Sequence, residues 1–275
     1  MKPEKKKVVV DGVCVSYVEA GPDGWVGAPL LLVHGFLVHS ATWSGVMPAL
    51  AGRFRVLAPD LPGFGDSDLP PEGSASFAKM AAFLNRFCEV LGVETAIVVG
   101  HSMGGAISMV ACSMYPHRFV KGVFMDAAAF PFKAPLKGRI AKVPIIGGII
   151  FKHLYGWGMF QQYFRNDVFH DPARIDMDRL RDFFRAFELP GRKAYMHGIL
   201  SPLTDGTEVA PHVAKVKQPT LVIWGAHDTL VPIAIGHRLE REIPGARLEI
   251  VKGSGHPPQE ECPEETARII LDFLK

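Results

Sequence analysis

Residues 100–104 read Gly100-His101-Ser102-Met103-Gly104, a serine flanked two positions away on each side by glycine. A short apolar run, 95–99, leads into it, and a helix-like pattern, 102–115, leads out. G-x-S-x-G between a strand and a helix is the pattern of a nucleophile elbow. The turn is so sharp that its two glycine positions leave no room for a Cβ. A serine held there stands above the carboxyl edge of a sheet at a helix N-terminus, whose partial positive charge favours a developing anion. Its hydroxyl is a poor nucleophile at neutral pH and needs a base that an acid orients. Asp228 lies in a loop after the apolar run that ends at Trp224, and His256 lies in Ser254-Gly255-His256-Pro257 after the run 247–251. Both therefore belong to the same sheet edge. Asp126, at the end of the run 120–125, meets that edge as well and is a rival acid.

Residues so far apart in sequence meet only on a scaffold that gathers strand ends. The uninterrupted apolar runs 30–33, 55–58, 95–99, 120–125 and 219–224 suit strands buried on both faces of a parallel sheet. Helical patterns at 42–51, 76–91, 102–115, 232–243 and 263–274 alternate with them. At the start, 8–10 and 13–18 flank Asp11-Gly12, a hairpin signal, so the chain opens antiparallel. The alternation predicts an α/β fold: a mostly parallel central sheet with helices on both faces.

Between 130 and 208 the alternation lapses. Only helix-like stretches such as 148–164 and 178–187 are evident there, and Phe130, Phe132, Phe151, Tyr155, Trp157, Phe160, Tyr163 and Phe164 crowd the first half. The expectation is a core of residues 1–129 and 209–275 carrying an inserted helical cap, 130–208. The aromatic stripe is either the insertion's own core or the underside of a cap over the nucleophile. On the second reading Leu37, Phe130, Trp157, Phe160 and Val231 line a substrate pocket.

Composition removes other classes. The 275 residues are 48% apolar and carry a net charge of +2, without the clustered basic surface that nucleic acid requires. Cys14, Cys88, Cys112 and Cys262 form no CxxC pair, which argues against a disulfide framework or zinc knuckle and for a reducing compartment. Lys5-Lys6-Lys7 precedes only three valines, far short of a signal peptide's apolar core, and no run reaches the roughly 18 apolar residues of a membrane span. A cytoplasmic protein is expected. No H-E-x-x-H and no close His/Asp cluster suggests a metal, and no cofactor is expected. Lys137, Arg139, Lys142 and Lys152 flank 143–151, a pattern compatible with contact at a lipid interface, though Pro144, Gly147 and Gly148 spoil an amphipathic helix.

The chain resembles the α/β-hydrolase fold superfamily, in particular its serine esterase and lipase members, from about Gly12 to Phe273. The resemblance rests on the elbow, on His34-Gly35-Phe36, on Asp60-Leu61-Pro62-Gly63-Phe64-Gly65-Asp66-Ser67, and on the loops of Asp228 and His256, in the family's order Ser, Asp, His. It implies Ser102, Asp228 and His256 as a catalytic triad and the backbone N–H groups of Phe36 and Met103 as an oxyanion hole. His34 and His101 would be structural, and Asp60 and Ser67 would tie down their glycine loop. His39, His153 and His197 read as packing or surface residues. The expected activity is hydrolysis of carboxylic esters of small to medium apolar substrates through an acyl-enzyme. A histidine base makes activity fall below roughly pH 6. Carbon–carbon bond hydrolases of the meta-cleavage type are the alternative within the fold, although they usually carry tryptophan just after the catalytic histidine, where this chain has Pro257. A hydrolase-fold ligand receptor with slow turnover is the alternative from another class.

Overall fold

A computed structural model describes residues 2–70, 76–132 and 146–275. Its sheet contains β1 (Glu4–Val10), β2 (Val13–Ala20), β3 (Leu30–Val33), β4 (Val56–Pro59), β5 (Ala96–His101), β6 (Phe119–Met125), β7 (Thr220–Gly225) and β8 (Arg247–Val251), in spatial order β1-β2-β4-β3-β5-β6-β7-β8. β1 and β2 form the expected hairpin across Asp11-Gly12 and β2 runs antiparallel to β4, while the remaining neighbours are parallel. After β3 the chain goes to β4 on one side and then to β5 on the other. The loops leaving β3 and β5 therefore diverge and open a crevice at the carboxyl edge, where ligands of open α/β sheets bind.

The helices are α1 (Met47–Ala51), α2 (Phe77–Val90), α3 (Met103–Met114), α4 (Ile146–Ile149), α5 (Trp157–Tyr163), α6 (Met177–Phe187), α7 (Arg192–Asp205), α8 (Ala210–Val213), α9 (Ile233–Glu242), α10 (Pro258–Glu261) and α11 (Pro263–Leu274). Alternate strand residues face opposite ways, so the sheet has a core on each side. Leu31, Val33, Val98, Phe124, Val222 and Trp224 pack with α2, α3 and α9. Leu30, Leu32, Ile97, Val99, Leu221 and Ile223 pack with α1 and α11.

Two expected helices are broken. The pattern at 42–51 splits into a 3-10 turn, Ser40–Trp43, and α1, because Pro48 in the first turn of α1 starts a helix afresh rather than continuing one. The pattern at 148–164 divides into α4, π-helical Ile150–Leu154 and α5, interrupted at Gly156, whose backbone is extended. A second π-helical turn, Phe164–Val168, follows. The expected 178–187 helix is α6, capped by the Asp176 carboxylate on the N–H groups of Asp178 and Arg179. α7 is a helix that the sequence pattern does not announce. Among the described residues from Pro131 to Gln218 there is no strand. Lys137, Arg139, Lys142 and residues 143–145 lie outside the described residues, so only Lys152 of the basic flank is described.

Candidate active site

Ser102 follows directly on β5 and precedes α3, with φ +54° and ψ −116°, a backbone conformation that a side-chain-bearing residue adopts only under constraint. The glycines make the turn possible. A Cβ at Gly100 would lie 2.3 Å from Gly104 O, and one at Gly104 would lie 2.1 Å from Val33 O. Leu37 (φ +65°) and Asp126 (φ +45°) are also left-handed at this edge, so strain costing about 1–3 kcal/mol per residue is concentrated around the serine.

The three residues singled out from the sequence meet. The Ser102 Oγ lies 2.8 Å from His256 Nε2, and His256 Nδ1 lies 2.8 Å from Asp228 Oδ2. Facing a carboxylate, Nδ1 carries the ring proton and donates it, leaving Nε2 to accept from the serine hydroxyl. Asp228 Oδ1 accepts from the N–H groups of Leu230 (2.8 Å) and Val231 (3.0 Å). Burial works against its charge, but His256 and those two N–H groups hold Asp228 below the ordinary carboxylate range. A serine so paired can lose its proton to the imidazole as it attacks, and the carboxylate can stabilise the imidazolium that forms.

The rival acid stands behind this pair in another state. Asp126 is wholly buried, its Oδ1 accepts from Gly225 N–H at 2.9 Å, and Oδ2 has no hydrogen-bond partner among the described residues. Burial and the neighbouring Asp228 charge raise its carboxyl well above the usual range. Asp126, Asp228 and His256 bring potential metal ligands within 4.8 Å of one another. Hydrogen bonding already accounts for that approach, since the His256 nitrogen that faces the carboxylates carries a proton.

His101 and His34 are buried supports. Burial, with His256 beside it, pushes His101 down to about 3, and its Nε2–H donates to His256 O at 2.9 Å. Burial pushes His34 down to about 4; its Nδ1–H donates to Gly35 O and its Nε2 accepts from Leu61 N–H. These bonds join the β3 loop, the 60–67 loop and the His256 backbone. Asp60 accepts from Ser40 N–H and Asp66 N–H, and Ser67 Oγ–H donates to Asp60 O. The loop of Gly35 presses on Ser102: a Cβ at Gly35 would lie 3.2 Å from Ser102 Cβ. Among the described residues neither the Phe36 N–H nor the Met103 N–H meets a protein acceptor.

The residues named for a pocket divide. Leu37 and Val231 are buried, and the Val231 N–H donates to Asp228. Phe160 is fully buried among Tyr155, Trp157, Phe164, Phe184 and Phe187, within the helical segment's own ring cluster. Trp157 lies at that cluster's rim, and Phe130 packs under the Arg238 guanidinium at 3.6 Å. One contact between the ring cluster and the β3 loop is made by Phe151, whose ring stacks on Phe36 with centroids 6.4 Å apart. His39 packs edge-on to Phe183, and His197 lies beside Phe151. Phe151 was one aromatic among many in sequence; only its register on the π-helical turn separates it from the others.

The sequence profile of the alpha/beta hydrolase family matches residues 30–269. An uncharacterized hydrolase of Bacillus subtilis (strain 168) is 31% identical over 274 residues, covering 98% of this chain and 97% of its own. The 2-hydroxy-6-oxo-6-phenylhexa-2,4-dienoate hydrolase of Burkholderia cepacia is 28% identical over 265 residues, covering 92% and 89%. Among solved structures, a bacterial membrane phospholipase A superposes with a TM-score of 0.83 at 26% identity, over 99% of this chain and 86% of that one. On the extent of these matches, in sequence and in fold, the chain belongs to the alpha/beta hydrolase family and is a hydrolase.

Proposed function

We propose that the protein hydrolyses carboxylic esters of small to medium apolar substrates, with Ser102 as nucleophile, His256 as base and then acid, and Asp228 orienting the imidazole. The observation that carries this is the unbroken line from Ser102 Oγ through His256 to Asp228, both steps 2.8 Å. The N–H groups of Phe36 and Met103 serve as the oxyanion hole, a role supported by the Gly35 loop's approach to Ser102 and by the absence of a competing acceptor. One such donor is worth about 10²–10³ in rate. Water then cleaves the acyl-enzyme, and no cofactor takes part. The helices between β6 and β7 act as the cap, with Phe151, Phe36, Leu37 and Val231 supplying its apolar lining. The four cysteines, all free, suit a reducing compartment, and a cytoplasmic protein belongs to this reading.

A second reading has a specific support, the likeness to a hydrolase of a 2-hydroxy-6-oxo-dienoate. One experiment separates the two. Turnover is measured on p-nitrophenyl esters of increasing chain length, with and without dispersed lipid, beside turnover of a 2-hydroxy-6-oxo-dienoate. Ester hydrolysis with sustained turnover, reduced at least ~10⁴-fold in Ser102→Ala, is the expected result. Faster cleavage of the dienoate would install the carbon–carbon reading, and a single slow burst without turnover would install the receptor. A series that peaks at short chains and ignores lipid marks an esterase rather than a lipase.

A further inference from the structure

Glu261, at the end of α10, is buried and has no part in the triad's hydrogen bonds. Its carboxylate nonetheless gathers two segments onto α10. Oε2 accepts from Gly255 N–H at 2.6 Å, beside the catalytic histidine, and from His170 N–H at 3.2 Å; Oε1 accepts from Asp171 N–H at 2.8 Å. Its own carbonyl accepts from the Arg174 guanidinium at 2.8 Å. Residues 167–171 leave the second π-helical turn of the cap and lie as a strap across the triad loops. Val168 O accepts from the His256 N–H at 2.9 Å, and Asp167 O accepts from the Thr229 hydroxyl, one residue from Asp228. The His170 ring stacks on His227, on the other side of Asp228, with centroids 3.7 Å apart. The approach is close enough that a Cβ at Gly255 would lie 2.7 Å from both His170 N and Val168 O.

We infer that Glu261 is a positioning residue that couples seating of the cap strap to the placement of His256. The inference rests on the triad reading given above. A carboxylate has acceptor sites for all three N–H groups at once, and no other single side chain among the described residues accepts from both the histidine loop and the strap. Without it, Gly255 N–H and the strap's two N–H groups lose their common acceptor, and among the described residues the His256 backbone is held by Val168 O and by His101 alone. A displacement of about 1 Å at the base costs on the order of 10² in rate.

The test is Glu261→Gln in the full chain. Whichever way the amide turns, one of its ends is an NH₂ group facing an N–H donor that needs an acceptor. Two quantities are read: the second-order rate of Ser102 phosphorylation by diethyl p-nitrophenyl phosphate, which reports the nucleophile and its base whatever the natural substrate, and kcat and KM on p-nitrophenyl butyrate. Expected is a folded variant whose phosphorylation rate and kcat both fall about 10- to 100-fold while KM moves less than about threefold. Phosphorylation at the wild-type rate, even with lowered thermal stability, overturns the inference and leaves Glu261 a fastening of the fold alone. If the glutamine variant does not fold, Glu261→Asp, which keeps the charge but withdraws it by one methylene, is read by the same criteria. A wild-type chain that the organophosphate does not modify overturns the serine-hydrolase reading, and the role of Glu261 with it.

Discussion

Two carboxyl groups lie at the back of one imidazole, and their surroundings push their pKa values in opposite directions, Asp126 up through burial and the Asp228 charge, Asp228 down through His256 and two N–H groups. Among the described residues Asp228 has three donors aimed at it, while Asp126 has one, Gly225 N–H, and a second oxygen without a donor in a fully buried place. The neutral carboxyl that burial and the Asp228 charge favour at Asp126 is nearly isosteric with asparagine. Asp126→Asn is therefore expected to leave kcat/KM on p-nitrophenyl butyrate within about threefold of wild type. Asp228→Asn leaves the geometry in place but presents an NH₂ or a neutral oxygen to Nδ1, and is expected to cost about 10⁴ in kcat through the wrong tautomer. If the two results exchange, the acid is Asp126. Which aspartate pairs with His256 was legible in sequence because the loop after Trp224 matches the family's flanks. What was not legible is the environment of the other, since the burial and the Asp228 charge that raise the Asp126 carboxyl arise only after folding.

At the scale of elements, α10 shows how much one turn can carry. Glu261 faces the histidine loop, and Glu260, one residue before it, points toward the Ser40–Trp43 turn, where Thr42 Oγ–H donates to it at 2.5 Å and the Arg179 guanidinium of α6 lies 3.7 Å away. Burial pushes Glu260 up to about 7, the nearby Arg179 charge only partly opposing it. A raised acid stabilises the fold fully below its unfolded value near 4.5 and loses that contribution as pH rises through 7, at up to about 1.4 kcal/mol per pH unit. Glu260→Gln lacks that loss. The difference in melting temperature, variant minus wild type, is expected to be more positive at pH 8 than at pH 5; a difference that is flat or reversed between those pH values removes the buried-acid account.

The central strands β3 to β7 were legible because each is a short apolar run covered on both faces, and the elbow because its two glycines have no alternative. α7 was not legible. Gly198 and Pro202 interrupt its pattern, and its first residue, Arg192, is a buried cation held by the 60–67 loop, so the apolar face of Tyr195, Met196, Ile199 and Leu203 does not stand out in sequence. The aromatic stripe was ambiguous for a related reason: π-helical turns at Ile150–Leu154 and Phe164–Val168 shift the register, and a 3.6-residue period cannot then say which rings turn inward.

Across the whole molecule, two of the contacts that fasten the helices between β6 and β7 to the sheet domain have different duties. One is the strap held by Glu261, beside His256 and Asp228. The other is Arg192, whose guanidinium donates to Gly65 O at 3.0 Å and Ser67 O at 2.7 Å, on the loop that follows β4. Burial lowers the Arg192 pKa, and Asp60, Asp66 and Asp68 oppose the shift. Arg192→Met keeps the length of the apolar stem but leaves both carbonyls unpaired and that acidic loop short of a cation. The expected cost is about 2–4 kcal/mol, a fall of roughly 5–15 °C in melting temperature for a chain of this size. Because this latch touches neither triad loop, the variant's rate of phosphorylation by diethyl p-nitrophenyl phosphate should stay within about threefold of wild type. KM for longer p-nitrophenyl esters should rise, since the cap face carrying Phe151 is no longer held against Phe36. The opposite pattern from Glu261→Gln is thus expected, with binding lost and nucleophile kept. A slowed nucleophile in Arg192→Met would mean that the two latches act as one, and that the cap reaches the triad from both sides.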